Sequence, residues 1–356
     1  MSIPVEIRWL EPLYAPLPLP VEVAARVQKA LGRADGPLLL MGDMPWLLDL
    51  IVDGLQLPIR HLDKRSKDVV SVVAAQENAC RYCYGINRAV LRIQGWDEAR
   101  IRQIEQAVDL ADDPQLAAVI AFARALSRSN PRPAGPERAR LLGVGFTPVQ
   151  VAELAFVASV NAIHNRVMTF LAAKPEEAIE AAATSRWGVF ARPLLRMMMT
   201  PRPGRDYSQE ERWTGPYAPL IGLLDGTPGA HVVSHTLRAA FEQGVLSRQT
   251  KLLTFAVVAR SLGCEACTDE ASVALVNEGM SKAEVDRAIA TLECSQLPQN
   301  EQGVLRWVRG TVRYVPDEIQ ASTRRLDADL GRAGTLDAIG TAALANGMVR
   351  LAMLGV

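Results

Sequence analysis

Cysteine is scarce in this chain, with five among 356 residues. A sparse, odd number is no disulfide framework, and a reducing, cytoplasmic setting is expected. Aromatic residues make up only 5% of the chain, and strand-like alternation of apolar and polar residues is hard to find, which argues against an all-β fold. Neither sign of charge is in excess, since 39 basic residues meet 39 acidic ones. Neither a nucleic-acid partner nor an anionic membrane surface is therefore expected. No run of about 18 apolar residues occurs, so no membrane span is expected. The opening stretch MSIPVEIRWLEPLYAPLPLP has no basic region followed by an apolar run, so no secretory signal is expected. A glycine-rich phosphate loop and a G-x-S-x-G elbow are also missing. The four histidines, His61, His164, His231 and His235, make no metal-like pattern with acidic residues. No cofactor and no metal is expected.

Half of the residues, 49%, are apolar, which is ample for a packed core. They recur at helical spacing. DEARIRQIEQAVDL opens on an N-cap, Asp97, and puts Ile101, Ile104 and Val108 on one face. SKAEVDRAIATL opens on Ser281 with Glu284 three residues on, a capping box, and aligns Val285, Ala288 and Leu292. The expected fold class is all-α, and at roughly 150 residues per domain the length suggests two domains.

The chain also matches itself. A shift of 184 residues places Leu62 on Leu246, Lys67 on Lys251, Cys80 on Cys264, Cys83 on Cys267, Gly95 on Gly279 and Arg166 on Arg350, without a gap around the cysteines. A repeat this long is too large for a solenoid unit and points to a duplicated helical domain. The expected organisation is a first domain over 1–185, a Pro/Gly-rich linker over 186–223 and a second, degenerate domain over 224–356. Within the linker, WGVFARPLLRMMM reads as a short apolar helix, with Met197 to Met199 as adaptable packing.

The chemistry-bearing motif is NACRYCYGIN, which holds Cys80, Cys83 and Asn87. Each Cys-x-x-Cys lies between two helix-like runs, so each is expected at a helix N-terminus, where free amides and the helix dipole favour a thiolate. A thiolate attacks a peroxide or a disulfide, and the second cysteine then closes the ring. Cys83 and Asn87, four apart, face the same way on a helix. In the first copy Arg81 and Arg88 are expected to lower the thiol pKa values. In the second, Glu265, Asp269 and Glu270 are expected to raise them. Two buried cysteines with no chemistry, and one zinc held by all four sulfurs, remain the alternatives.

The stretch from Lys64 to Arg92 resembles the alkylhydroperoxidase D-like members of the carboxymuconolactone decarboxylase superfamily, whose signature is an acidic residue, eleven residues, Cys-x-x-Cys, three residues and a histidine. FTPVQVAELAFVASVNAIHNRVMTFLAAKP resembles that family's closing helices, with Asn161 and the Asn165–Arg166 pair. The resemblance covers most of 40–175 and, more faintly, 224–356. It implies an oligomerising all-α domain that reduces a small-molecule peroxide, with a dithiol or a lipoyl protein as reductant. It assigns Cys83 the attacking role, Cys80 the resolving role, and the acidic position to Asp68. Asn87 stands where the family has histidine, so the relay is altered, and Glu77, Tyr82 or Tyr84 are the candidate replacements. In the second copy Leu252 and Ala271 take the acidic and histidine positions, so Cys264 and Cys267 form a degenerate site. The rival expectations are a redox-sensitive binding or scaffold protein and, by superfamily only, a lactone decarboxylase.

Overall fold

The computed structural model describes residues 8–56, 59–107, 110, 112–185, 190, 192–193 and 205–354. Among these residues there are sixteen α-helices, two short 3-10 turns and no strand. The first nine helices are α1 (Val21–Leu31), α2 (Pro45–Gln56), α3 (Lys64–Glu77), α4 (Arg81–Ile93), α5 (Glu98–Gln106), α6 (Pro114–Ser127), α7 (Gly135–Gly143), α8 (Pro148–Phe170) and α9 (Glu177–Thr184). The remaining seven are α10 (Ala218–Gly222), α11 (Gly229–Glu242), α12 (Arg248–Leu262), α13 (Glu265–Asn277), α14 (Lys282–Thr291), α15 (Val304–Thr311) and α16 (Pro316–Ala352). Val108 and most of WGVFARPLLRMMM, including Met197 to Met199, lie outside the described residues.

Local sequence sets the helix starts. The Asp63, Asp97 and Ser247 side chains each accept a bond from the backbone N–H three residues on. Thr147 with Gln150, and Ser281 with Glu284, form complete capping boxes. Each such cap satisfies a donor that the helix itself leaves open and contributes roughly 1 kcal/mol. Ile101 and Ile104 on α5, and Val285 and Ala288 on α14, are buried as their spacing predicts. The long α16 is broken at Gly331, whose φ of 66° is a left-handed conformation that a β-carbon disfavours.

The centre of the molecule is α8 crossed by the C-terminal part of α16, the most extensive helix pair in the structure. Their approach depends on Gly347, where a β-carbon would lie 2.5 Å from Ile163 Cγ1. Ser159 Oγ donates to the Gly347 carbonyl at 2.8 Å. Around this pair, α3, α4 and α6 pack on α8, while α12 and α15 pack on α16. Two helices cross between the halves. On α2, Trp46 lies against Gly340 and donates to Asp337 Oδ1 at 3.0 Å. Phe156 of α8 lies against Gly229, at the start of α11. One apolar core therefore runs through both halves.

Two buried arginines tie the halves together. Arg166 on α8 donates to the Val312 carbonyl at 3.1 Å, and Arg350 on α16 donates to the Arg128 carbonyl at 2.8 Å. Both guanidinium groups sit over the Tyr314 ring, at 3.8 and 5.6 Å. Two carboxylates have matching roles on the long helices. Fully buried Glu153 accepts from the backbone N–H of Arg60, His61 and Leu62, each at 2.7 Å. Fully buried Asp337 accepts from Val245 and Leu246 N–H, each at 2.8 Å.

Candidate functional site

The first cysteine pair is shaped by the turn between α3 and α4. Asn78 ends α3, and its side chain donates to the Ala74 and Ser127 carbonyls at 2.7 and 3.1 Å. Ala79 then takes a left-handed conformation with φ of 52°. Cys80 caps α4, its Sγ accepting from Cys83 N–H at 3.3 Å. A Cys-x-x-Cys at a helix start thus puts one sulfur on the cap and the other on the first turn. Cys80 is fully buried and Cys83 is 8% exposed, and both are free thiols.

Cys83 opens onto a cavity of about 320 Å³. Three helices line it at the same spacing. From α3 come Lys64, Lys67, Asp68 and Ser71. From α4 come Cys83, Ile86, Asn87 and Val90, and from α8 come Asn161, His164, Asn165 and Met168. Positions i, i+3, i+4 and i+7 make one helix face, so each helix turns one face to the same space. The end of α1, together with Pro37, Leu38, Ile51, Gly54 and Leu55, closes the other side.

Hydrogen bonds fix the polar part of the wall. Gln94 Nε2 donates to Asp68 Oδ2 at 2.5 Å, and Asn87 Nδ2 donates to the Ser71 carbonyl at 3.0 Å. Asn161 Nδ2 donates to Ser71 Oγ at 3.1 Å and to the Val157 carbonyl at 2.8 Å. Asn165 differs from these: it is 1% exposed, and neither its Nδ2 nor its Oδ1 has a hydrogen-bond partner among the described residues. His164 Nε2 is also buried without one.

Burial dominates the electrostatics. It pushes the Cys83 thiol up, and the neighbouring Cys80 side chain adds to this, so the α4 amides do not make Cys83 a ready thiolate. Burial also raises Asp68 and lowers Lys67, each partly offset by the other's charge. His164 is lowered to about 4 by burial against the weaker opposing effect of the Leu50 and Ile51 backbones, so it is neutral at pH 7.

Of the residues singled out from sequence, Cys83, Asp68, Asn87 and Tyr82 meet on this wall, with Cys80 directly behind Cys83. Glu77 does not line it; its carboxylate faces Arg124 at 3.4 Å and Arg128 at 3.9 Å. Tyr84 donates to Glu105 at 2.5 Å instead of facing the cavity. The two arginines expected to lower the thiol pKa values are held elsewhere. Arg81 makes a two-pronged pair with Glu180, at 2.8 and 3.1 Å, and Arg88 pairs with Glu98 and Glu105. Sequence reasoning missed Lys67, Ser71 and Gln94. Repeated steps of three and four residues reach them, from Asp68 to Ser71 and back to Lys67, and from Cys83 through Asn87 and Val90 to Gln94.

The second pair repeats the local geometry without the open wall. Gly263 takes the left-handed turn position, and Cys264 Sγ accepts from Cys267 N–H at 3.3 Å. Both cysteines are buried and joined as a disulfide. Leu252 and Ala271 are fully buried and apolar. Tyr217 packs on Phe255 at 4.6 Å between centroids and donates its hydroxyl to the Cys267 carbonyl at 2.9 Å, and Phe241 continues the stack. Glu270 accepts from Tyr217 N–H at 3.1 Å, while Glu265 and Asp269 are exposed. Among the described residues no cluster of histidine, cysteine and carboxylate side chains is suited to a metal ion, and no helix is long and apolar enough to cross a membrane. No protein-family model and no curated protein matches the chain.

Proposed function

We propose that the chain is a thiol-dependent peroxidase built as a tandem pair of alkylhydroperoxidase D-like helical units, with chemistry at Cys80 and Cys83 of the first. The observation that carries this is the placement of Cys83 on one cavity wall with Asp68 and Asn87, and of fully buried Cys80 one turn behind. A peroxide in the cavity meets the Cys83 sulfur. The S–O bond forms as the O–O bond breaks, giving a sulfenic acid and an alcohol; sulfur is oxidised by two electrons and the peroxide is reduced. The thiol proton passes by way of Asp68, the one carboxylate on the wall among the described residues, to the leaving alkoxide. Asn87, anchored on Ser71, orients the peroxide by hydrogen bonds but carries no proton. Cys80 then attacks the sulfenic sulfur, the S–S bond forms, water leaves, and an external dithiol or lipoyl protein reduces the disulfide.

Reciprocal contacts support the tandem origin. The 184-residue shift maps Arg166 and Val312 onto Arg350 and Arg128, and each arginine donates to the carbonyl in the opposite half. It maps Glu153 with His61 and Leu62 onto Asp337 with Val245 and Leu246, again the same bonds. It maps Phe156 onto Gly340 and Ile163 onto Gly347, two of the glycines at the crossings. Such exchange is what a two-fold dimer interface becomes when one chain supplies both partners. The raised Cys83 thiol favours one alternative, a binding protein with slow redox turnover.

Peroxide consumption with a dithiol donor tests the proposal. Wild type is expected to exceed Cys83→Ser at least a hundredfold, and equal rates would overturn it.

A further inference from the structure

The same lysine position is treated differently in the two halves. Lys251, on α12, is fully engaged: its Nζ faces Asp337 Oδ2 at 3.3 Å and donates to the Ala240 carbonyl at 2.7 Å. Lys67, at the matching place on α3, has no carboxylate within ion-pair distance among the described residues, although it is half-buried and lines the cavity. On α8, Glu153, the counterpart of Asp337, accepts from the Arg60, His61 and Leu62 amides and makes no ion pair with Lys67. The single lining acid among the described residues, Asp68, has Oδ2 occupied by Gln94. Lys67 is thus a partly desolvated cation whose charge Asp68 offsets only in part, and an anionic ligand supplies the missing counter-charge.

Two further features define the ligand. On the cavity wall, buried Asn165 offers both a donor and an acceptor without a partner among the described residues, matching a group that both accepts and donates, as a hydroperoxide –OOH does. The lining also has an apolar part, with Leu31, Ile51, Leu55, Ile86, Val90 and Met168. The cavity, near 320 Å³, is at the small end of the range that holds organic ligands, about 300–1,000 Å³.

We propose that this cavity binds an amphipathic organic acid, its carboxylate on Lys67 and its apolar body along the α2, α4 and α8 walls, and that the physiological peroxide is a hydroperoxide of such an acid. The second half of this statement rests on Cys83 being the peroxide-reducing thiol; the first does not.

Two measurements on the full-length chain separate these parts. Calorimetric titration with octanoate and with methyl octanoate reads binding without chemistry. Octanoate is expected to bind at least tenfold more tightly than the ester. Lys67→Gln is expected to remove that difference, while Lys67→Arg keeps it and Lys64→Gln changes it less than threefold. Circular dichroism of each variant checks folding. Equal affinity for acid and ester, or an unchanged preference in a folded Lys67→Gln, overturns the binding site. Turnover is then compared for a fatty-acid hydroperoxide and its methyl ester. A tenfold higher kcat/KM for the acid is expected. Consumption of both at equal rates overturns the substrate class while leaving the peroxidase intact. Preferential octanoate binding with no consumption of either overturns the peroxidase while leaving the acid site intact.

Discussion

Replacing Glu153 tests how the chain is led into the cavity wall. Its Oε1 accepts from Arg60 N–H and its Oε2 from both His61 and Leu62 N–H, all at 2.7 Å, and the residue is fully buried. Hydrogen bonds to a charged group are worth roughly 1.5–3 kcal/mol each. Three would sum to more than is lost, because Arg60 and His61 are exposed and water replaces the carboxylate there. Leu62 N–H is buried and has no such substitute. The expected destabilisation for Glu153→Ala is therefore about 3–5 kcal/mol, a large share of the roughly 5–15 kcal/mol that holds a typical domain together. Glu153→Gln keeps one oxygen for His61 and Leu62 but turns an amide donor toward Arg60 N–H, so about 2 kcal/mol is expected. Urea unfolding followed by circular dichroism measures both, with an unchanged slope as the check that the unfolded state is comparable. Because this turn leads straight into α3, the alanine variant is also expected to expose Cys83 to thiol reagents. A Glu153→Ala protein within 1 kcal/mol of wild type would show that water caps the turn equally well, and the reasoning would fail.

His164 is neutral and buried in the folded protein, at about 4, against about 6.5 when unfolded. The unfolded chain binds the extra proton in that window, so stability is present above about pH 6.5 and falls by up to about 1.4 kcal/mol per unit toward pH 4. His164→Gln is expected to remove about 3 kcal/mol of that fall, and an unchanged pH profile would refute the burial argument. Burial holds the Cys83 thiol up, so its alkylation is expected to be slow at pH 7 and to rise about tenfold per unit up to at least pH 9; a plateau below pH 8 would contradict this. Serine at both Cys264 and Cys267 opens a short loop worth about 2 kcal/mol of stability. Peroxide turnover should stay within twofold, and a collapse to the Cys83→Ser level would move the chemistry to the second pair. Ser71→Phe, which copies Phe255, is expected to fill the cavity at about 1–3 kcal/mol of strain and to lower turnover at least tenfold; full turnover would mean the cavity is not the site.

Composition and periodicity determined the all-α class, because helical spacing and caps are local. Asp97 and the Ser281–Glu284 box sit where their neighbours alone require them. The cap position of Cys80 and Cys264 followed for the same reason: a sulfur three residues before another at a helix start meets the first free amides. The local pattern could not tell which way a charge would turn. Arg81, Arg88 and Glu77 lie within a few residues of the cysteines, yet their partners, Glu180, Glu105 and Arg124, come from helices folded beside them. Nor could it tell that burial outweighs the helix dipole at Cys83, since the enclosing residues come from α1, α2 and α8. What the sequence by itself determined is therefore the helices and the thiol pair on its cap. What only the tertiary structure decided is the cavity, because α3, α4 and α8 must pack together before their three polar faces enclose one space and leave Asn165 without a hydrogen-bond partner among the described residues.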